Sequence, residues 1–261
     1  MLLAVSVGNS HITFGVCDAG SWTRRWRVQT VAAKTADEYL VVFRALFDAA
    51  GLDPSRVDEA ILASVVPPLT STMAEAVREL TGHSPLRLTP DLDLGLRITT
   101  ENPAEVGADL VANAVAARER TRGNCIVVDF GTALSFTAVS SAGELRGVAI
   151  APGLSSAVNA LGLDTAQLPR VPIAPPPVAI GRNTVHSIQS GLVFGYVGLV
   201  HEVISRMREE LGGTAEVIAT GGHSPVMAPL IREKVVHEQW LTLEGLRILA
   251  ARNRKRQEAA G

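Results

Sequence analysis

Aromatic residues make up only 4% of this 261-residue chain, cysteine occurs twice, and neither sign of charge dominates. With so few rings, the interior must be filled by Val, Leu, Ala and Ile. Two cysteines, Cys17 and Cys125, cannot form a disulfide framework, which points to a reducing compartment and a cytoplasmic protein. The 24 Lys+Arg against 26 Asp+Glu leave a formal net charge of −2. Such a chain offers no bulk positive field to nucleic acid or to a membrane surface, so neither is expected as a partner. The most apolar long stretch, Gly191–Val200, is far shorter than the roughly 18 residues a membrane helix needs. Met1–Ser10 lacks a basic start, and Gly8-Asn9-Ser10 interrupts its apolar run, so it does not read as a signal peptide. No Walker A sequence and no G-x-G-x-x-G after a strand is present, which argues against P-loop and Rossmann sites. His83, His186, His201, His223 and His237 are scattered without the spacing of a structural zinc site.

What the chain does have is 47% hydrophobic and 19% charged residues, enough to bury a substantial core in one large or two ordinary domains. It also has an internal repeat. Val5-Ser6-Val7-Gly8-Asn9-Ser10 ends one apolar run, and Val128-Asp129-Phe130-Gly131-Thr132-Ala133 ends another. Ala19-Gly20 and Ala142-Gly143 then mark the next turn in each copy. Both copies read as strand, glycine turn, strand, glycine turn, strand. After the first come a helix opened by the capping box Thr35-Ala-Asp-Glu38, a strand over Ala60–Val66 ended by Pro67-Pro68, and a helix beginning at Thr72. Asn102–Arg122 reads as one helix with Asn102 as N-cap and Pro103 at its first position. Later come a long helix over Asn183–Leu211, a strand over Glu216–Ala219, and helices over Ser224–Lys234 and Thr242–Arg256. The expected architecture is therefore α/β with duplicated βββαβα units, 1–101 and 102–261, and a cleft between them.

A glycine in a hairpin between core strands lets backbone N–H groups approach an anion. Two such loops in equivalent places, the second preceded by Asp129 at a strand end, point to phosphate binding. Thr220-Gly221-Gly222 follows a strand and precedes a helix, an arrangement suited to a nucleotide base or phosphate. Asp109 lies at the edge of a helical stripe among the small neighbours Ala112, Asn113 and Ala116; the residues alone read equally as a solvated helix-face carboxylate and as a half-buried one better suited to act as a base. The glycines Gly191, Gly195 and Gly198 lie along one long helix and suggest close helix packing at a dimer interface.

These residues, with Gly107-Ala-Asp109, Ala151-Pro-Gly153, Gly181-Arg-Asn-Thr184, Ser190-Gly-Leu and Thr242-Leu-Glu-Gly-Leu, resemble the type III pantothenate kinase family from residue 2 to about residue 250. The resemblance implies two ribonuclease-H-like halves of the fold shared by actin, sugar kinases and heat-shock chaperone ATPases. It implies a homodimer, ATP with Mg²⁺, and a monovalent cation, K⁺ or NH₄⁺. It makes Asp109 the base for the pantothenate hydroxyl and Asp129 the monovalent-cation ligand. ATP contacts fall to Ser6, Val7, Gly8, Asn9, Ser10, His11, Gly131, Thr132, Gly221 and Gly222. The pantothenate site falls to Thr100, Gly107, Ala108, Asp109, Leu110 and Thr184. Three positions depart from the family pattern: Ser6 replaces an Asp, Leu110 an Arg, and Thr100 a Tyr. The expected activity is phosphorylation of pantothenate to 4′-phosphopantothenate, the opening step of coenzyme A synthesis. Two alternatives stand beside it: a non-catalytic homologue with a binding or regulatory role, and a kinase for a different small acceptor.

Overall fold

The computed structural model describes residues 1–164 and 168–260. The chain divides into two compact units. One comprises Met1–Arg97, Glu101–Ala116 and Leu241–Gly261; the other comprises Ile98–Thr100 and Ala117–Trp240. This division differs from a single cut after residue 101, because the chain returns to the first unit at its C-terminal end.

In the first unit, β1 (Leu2–Val7), β2 (His11–Asp18), β3 (Ser21–Gln29), β4 (Glu59–Ser64) and β5 (Leu86–Arg87) form one sheet in the order β3-β2-β1-β4-β5. The alternation of β1 sends Leu3, Val5 and Val7 into a core shared with α1 (Ala36–Ala49) and α2 (Pro67–Thr81). Ala4 and Ser6 therefore point away from that core. The few rings concentrate here: Phe14 stacks on Trp26 and meets Phe43 at 4.4 Å between centroids. Thr35 caps α1 through the expected box with Glu38. The second helix starts earlier than its sequence suggests: Pro67 and Pro68 occupy its first turn, where a missing N–H costs nothing.

In the second unit, β6 (Arg97–Ile98) adds to an edge made by β7 (Cys125–Phe130), β8 (Ala133–Val139) and β9 (Glu144–Pro152). β10 (Glu216–Thr220) and β11 (Val235–His237) complete the order β11-β10-β7-β8-β9-β6. Leaving out β6, each sheet runs 3-2-1-4-5 in its own numbering, with antiparallel hairpins 1-2 and 2-3 and parallel pairs 1-4 and 4-5. The duplication extends to irregularities, since β2 shifts register at Val16/Cys17 and β8 at Ala138/Val139.

Helix α3 (Ala108–Arg120) begins six residues later than the expected N-cap at Asn102. A single 3₁₀ turn, Pro103–Glu105, comes first, and the Asn102 side chain donates to Glu105 Oε1 (2.8 Å) instead of capping the backbone. Asp109 is thereby moved from a helix face into the first turn of α3. Helix α4 (Leu154–Asp164) carries no strong sequence signal, and α6 (Ser224–Met227) is a single turn where a longer helix is expected, because Pro229 lacks the N–H that would continue it and β11 follows. The long helix α5 (Thr184–Glu210) is capped by Asn183, whose Oδ1 accepts from His186 N at 2.8 Å. Taken whole, α5 is long and apolar enough to cross a bilayer by length and composition, which its most apolar ten-residue stretch does not suggest. The last helix, α7 (Leu241–Ala260), packs on β1, β2 and β4.

Candidate active site

Within the first unit, the ends of β1 and β4 lie side by side, joined beyond the strands by Val65 N–H donating to Val7 O (3.0 Å). The loop that follows β1 is tightly closed. Gly8 N–H donates to His11 O (3.0 Å), Thr30 N–H to Ser10 O (3.0 Å), and Thr30 Oγ1 to Gly8 O (2.6 Å). Ser6 stands just before it, 6% exposed, paired in register with Thr13 on one side and Ala63 on the other.

Gly107, Ala108, Asp109 and Leu110 come up against the same end of the sheet. A Cβ on Gly107 would stand 2.7 Å from Asp109 Oδ1 and 3.5 Å from Val65 Cγ1, so a side chain there would displace the carboxylate. Asp109 Oδ1 accepts from Leu110 N–H at 2.8 Å. Burial pushes the Asp109 carboxyl above the ordinary carboxylate range, against the lowering pull of the Leu110 and Asp109 backbone bonds, and no charged neighbour contributes. Leu110 itself is buried.

The helix carrying Asp109 is fixed by α7. Thr242 Oγ1 donates to Asn113 Oδ1 (2.8 Å). Gly245 lies so close to Ala112 that a Cβ there would come within 2.5 Å of the Ala112 carbonyl carbon. The Thr242-Leu-Glu-Gly-Leu motif thus holds the base-bearing helix at a spacing that excludes a side chain at position 245.

Within the second unit, three segments converge on the loop after β7. Gly131 N–H donates to Ala133 O (3.1 Å), and Thr132 O accepts from Gly153 N–H (3.2 Å) and Ser156 Oγ (3.1 Å). His223 N–H donates to Phe130 O (3.1 Å), tying the turn after β10 to the same loop. Gly221 has φ +92°, and a Cβ on it would overlap Asp129 Oδ1 and Phe130. Asp129 faces Ser135 across one pair and Thr220 across the other, all on the sheet face opposite the apolar core. A carboxylate flanked by two buried hydroxyls, Ser135 at 7% and Thr220 at 2% exposed, is an oxygen donor set.

The duplicated positions therefore carry different chemistry: Asp129 between two hydroxyls in one half, and the neutral Ser6 beside Thr13 in the other. In the first unit Gly107 reaches Val65, which bonds Val7 at the start of the first loop, and in the second Asp129 lies against both Gly131 and Gly221. Thr100 follows β6, its hydroxyl buried without a hydrogen-bond partner, and Thr184 opens α5. Sequence reasoning missed Gly153, Ser155, Ser156 and His223 as parts of the second loop's surroundings; Gly153 lies inside a quoted motif, and His223 directly follows Gly222.

A family model described as type III pantothenate kinase matches residues 2–206. The type III pantothenate kinase of Anaeromyxobacter sp. (strain K) is 47% identical over 254 residues, covering 97% of this chain and all of that one. That of Myxococcus xanthus is 45% identical, covering 97% and 99%. Among solved structures, a Campylobacter jejuni protein assigned to the Baf family superposes with TM-score 0.62 at 15% identity, covering 97% of this chain and 99% of that one. A Sinorhizobium meliloti protein assigned as a 2-dehydro-3-deoxygalactonokinase gives 0.57 at 12% identity, covering 96% and 98%. These likenesses, with the duplicated 3-2-1-4-5 sheets, show the actin-like, sugar-kinase fold. On the family match and the full-length identity, the chain belongs to the type III pantothenate kinase family.

Proposed function

We propose that this protein transfers the γ-phosphoryl group of ATP to the hydroxyl of pantothenate, giving 4′-phosphopantothenate. The observation that carries this reading is the Asp109 carboxyl, raised by burial and held at Gly107, which lies against Val65 just beyond β4, where Val65 N–H bonds the end of β1. Phosphoryl transfer asks the protein for positioning, charge stabilisation and a base for the alcohol, with little covalent work. Asp109 takes the hydroxyl proton. The loops Ser6–His11 and Gly131–Thr132, with Gly221 and Gly222, hold the phosphates and nucleotide, while Thr100, Gly107, Ala108, Leu110 and Thr184 shape the acceptor site.

A cation fits the second unit, where Asp129, Ser135 and Thr220 present the oxygen donors that hard cations take. Asp129 holds the monovalent cation, K⁺ or NH₄⁺, and Mg²⁺ arrives with the ATP phosphates. When bound, these ions neutralise developing phosphate charge. The first loop has no carboxylate to offer, and Leu110 offers no cation to the acceptor's carboxylate.

Purified protein with Mg·ATP and K⁺ is expected to release ADP only when pantothenate is present. ADP release that pantothenate leaves unchanged would overturn the reading. The double variant Ser6→Asp/Leu110→Arg is expected to gain about tenfold or more in kcat/KM for pantothenate, since one charge-assisted contact is worth roughly 1.5–3 kcal/mol.

The homodimer rests on α5. Beyond the helix's own backbone, a Cβ added at Gly191, Gly195 or Gly198 meets nothing within 4 Å among the described residues, and Phe194 is 39% exposed between them. An apolar helix with this face uncovered is suited to pack against a second copy. Gly195→Leu is then an informative variant. In an isolated chain it improves helix propensity, by a few tenths of a kcal/mol to about 1 kcal/mol. In a dimer it fills the contact. Light scattering after gel filtration is expected to show a wild-type dimer and a folded Gly195→Leu monomer; a variant still dimeric removes α5 from the interface. A soluble cytoplasmic enzyme without nucleic-acid or membrane partners completes the proposal, in keeping with the −2 formal charge.

A further inference from the structure

Two histidines without any spacing signal in the sequence bracket the turn after β10. His237 Nε2 lies 2.8 Å from Ser224 Oγ, which donates to Gly221 O at 2.7 Å. Ser224 is fully buried, so this pair is part of the support beneath the turn. The second pair is different. His223 Nε2 lies 2.8 Å from Ser155 Oγ, and the bond is exposed to solvent.

Other bonds also hold the backbone around this pair. The His223 main chain already anchors the turn through its N–H to Phe130 O. The α4 end is tied to the loop by Gly153 N–H and by Ser156 Oγ, both on Thr132 O. Ser155 Oγ is not part of that brace. A solvent-facing hydrogen bond between two side chains adds little net stability, because water competes for both groups. Yet the pair spans the two segments that flank Gly131-Thr132, the backbone loop suited to an anion. One hydrogen is spent in the bond between the two side chains; when a phosphate parts them, the imidazole N–H and the hydroxyl each donate to a phosphate oxygen, contacts stronger than neutral ones because the acceptor is charged.

We propose that Ser155 and His223 form a polar clamp on the phosphates of a nucleoside di- or triphosphate seated on the Gly131-Thr132 loop. This rests on the assignment of that loop to the nucleotide and goes beyond it, naming two contact residues on segments 68 positions apart.

The test is calorimetric titration of Mg·ATP and Mg·ADP into wild-type protein and into His223→Ala, His223→Gln and Ser155→Ala, with melting curves for each. His223→Ala and Ser155→Ala are each expected to weaken nucleotide binding by about tenfold, the loss of one hydrogen bond to a charged group. Melting temperatures are expected to stay near wild type. His223→Gln, which can still donate from a similar position, is expected to recover most of the affinity. In turnover assays the loss appears in KM for ATP and not in KM for pantothenate. Wild-type affinity in both alanine variants overturns the clamp. Should His223→Ala fail to fold, Ser155→Ala decides alone. A wild-type protein that binds no nucleotide overturns both the clamp and the loop assignment. A wild type that binds ATP, loses affinity in the variants and yet does not phosphorylate pantothenate leaves the clamp standing while the proposed reaction falls.

Discussion

Asp109→Asn is expected to lower kcat by about two to four orders of magnitude, the usual worth of a positioned general base, and at the same time to raise the melting temperature at neutral pH. The two effects share one cause. Burial lifts the Asp109 carboxyl above its ordinary range, which improves it as a base for an alcohol and makes its charged form unfavourable in the folded chain. In the window between the ordinary carboxylate value and the raised one, the folded state binds more protons than the unfolded state. Stability associated with this group is therefore present below the unfolded value and is lost as pH rises through the folded one. Asparagine keeps the shape and the oxygen that accepts from Leu110 N–H but removes the charge. The variant is thus expected to melt above wild type at pH 7, with the difference closing as pH falls below the ordinary carboxylate range. The wild-type acid limb of kcat should lie correspondingly higher than an exposed Asp would give. Calorimetry at both pH values, with single-turnover rates, checks the two halves separately. A variant that melts lower at pH 7 would show that the carboxylate is welcome where it sits, and retained turnover would remove Asp109 from the base role.

The repeated strand-turn-strand pattern is legible because it is local. Alternation and glycine turns fall within the span of a hairpin, and the duplication at Ser6 and Asp129 repeats the signal at a constant offset. The capping box at Thr35 is legible for the same reason, as its partners are three residues apart. Reading fails where local signals conflict. Asn102-Pro103 looks like a helix start, yet Gly107 lies between it and the true start at Ala108, and the 3₁₀ turn satisfies the same residues. At Pro67-Pro68 the opposite happens: prolines that look like a stop belong to a first turn. What is not legible at all is contact made over long sequence distance. Ser155 with His223, Gly153 against Thr132, and Gly245 against Ala112 depend on the closed fold. The motif residues at 153, 221 and 245 register that dependence as glycine without revealing what each glycine lies against.

Gly221→Ala is the sharpest way to expose that hidden dependence. Its φ of +92° lies in the region that L side chains rarely adopt, and an added Cβ would press into Asp129 Oδ1 and come within 2.6 Å of the Phe130 carbonyl carbon. The obstacle includes backbone of the central strand β7, which cannot swing aside as a flexible side chain can. Positive-φ strain of about 1–3 kcal/mol adds to overpacking of about 1–3 kcal/mol, so a loss of roughly 2–6 kcal/mol is expected. That is a large part of the whole stability of a chain this size, typically about 5–15 kcal/mol. Gly153→Ala should behave alike, since its Cβ would come within 2.5 Å of Gly131 O. Gly147→Ala is the control: it lies in β9, and its Cβ would meet nothing within 4 Å among the described residues. It is expected to melt at or slightly above wild type, as alanine costs less chain entropy in a strand. Chemical denaturation of the three variants measures the difference, and nucleotide titration of whatever remains folded measures the loop. Near-wild-type stability in Gly221→Ala would mean that the turn can retreat from Asp129. Retained nucleotide affinity in the same variant would mean that the carboxylate's place against the glycine is not what the phosphate site requires.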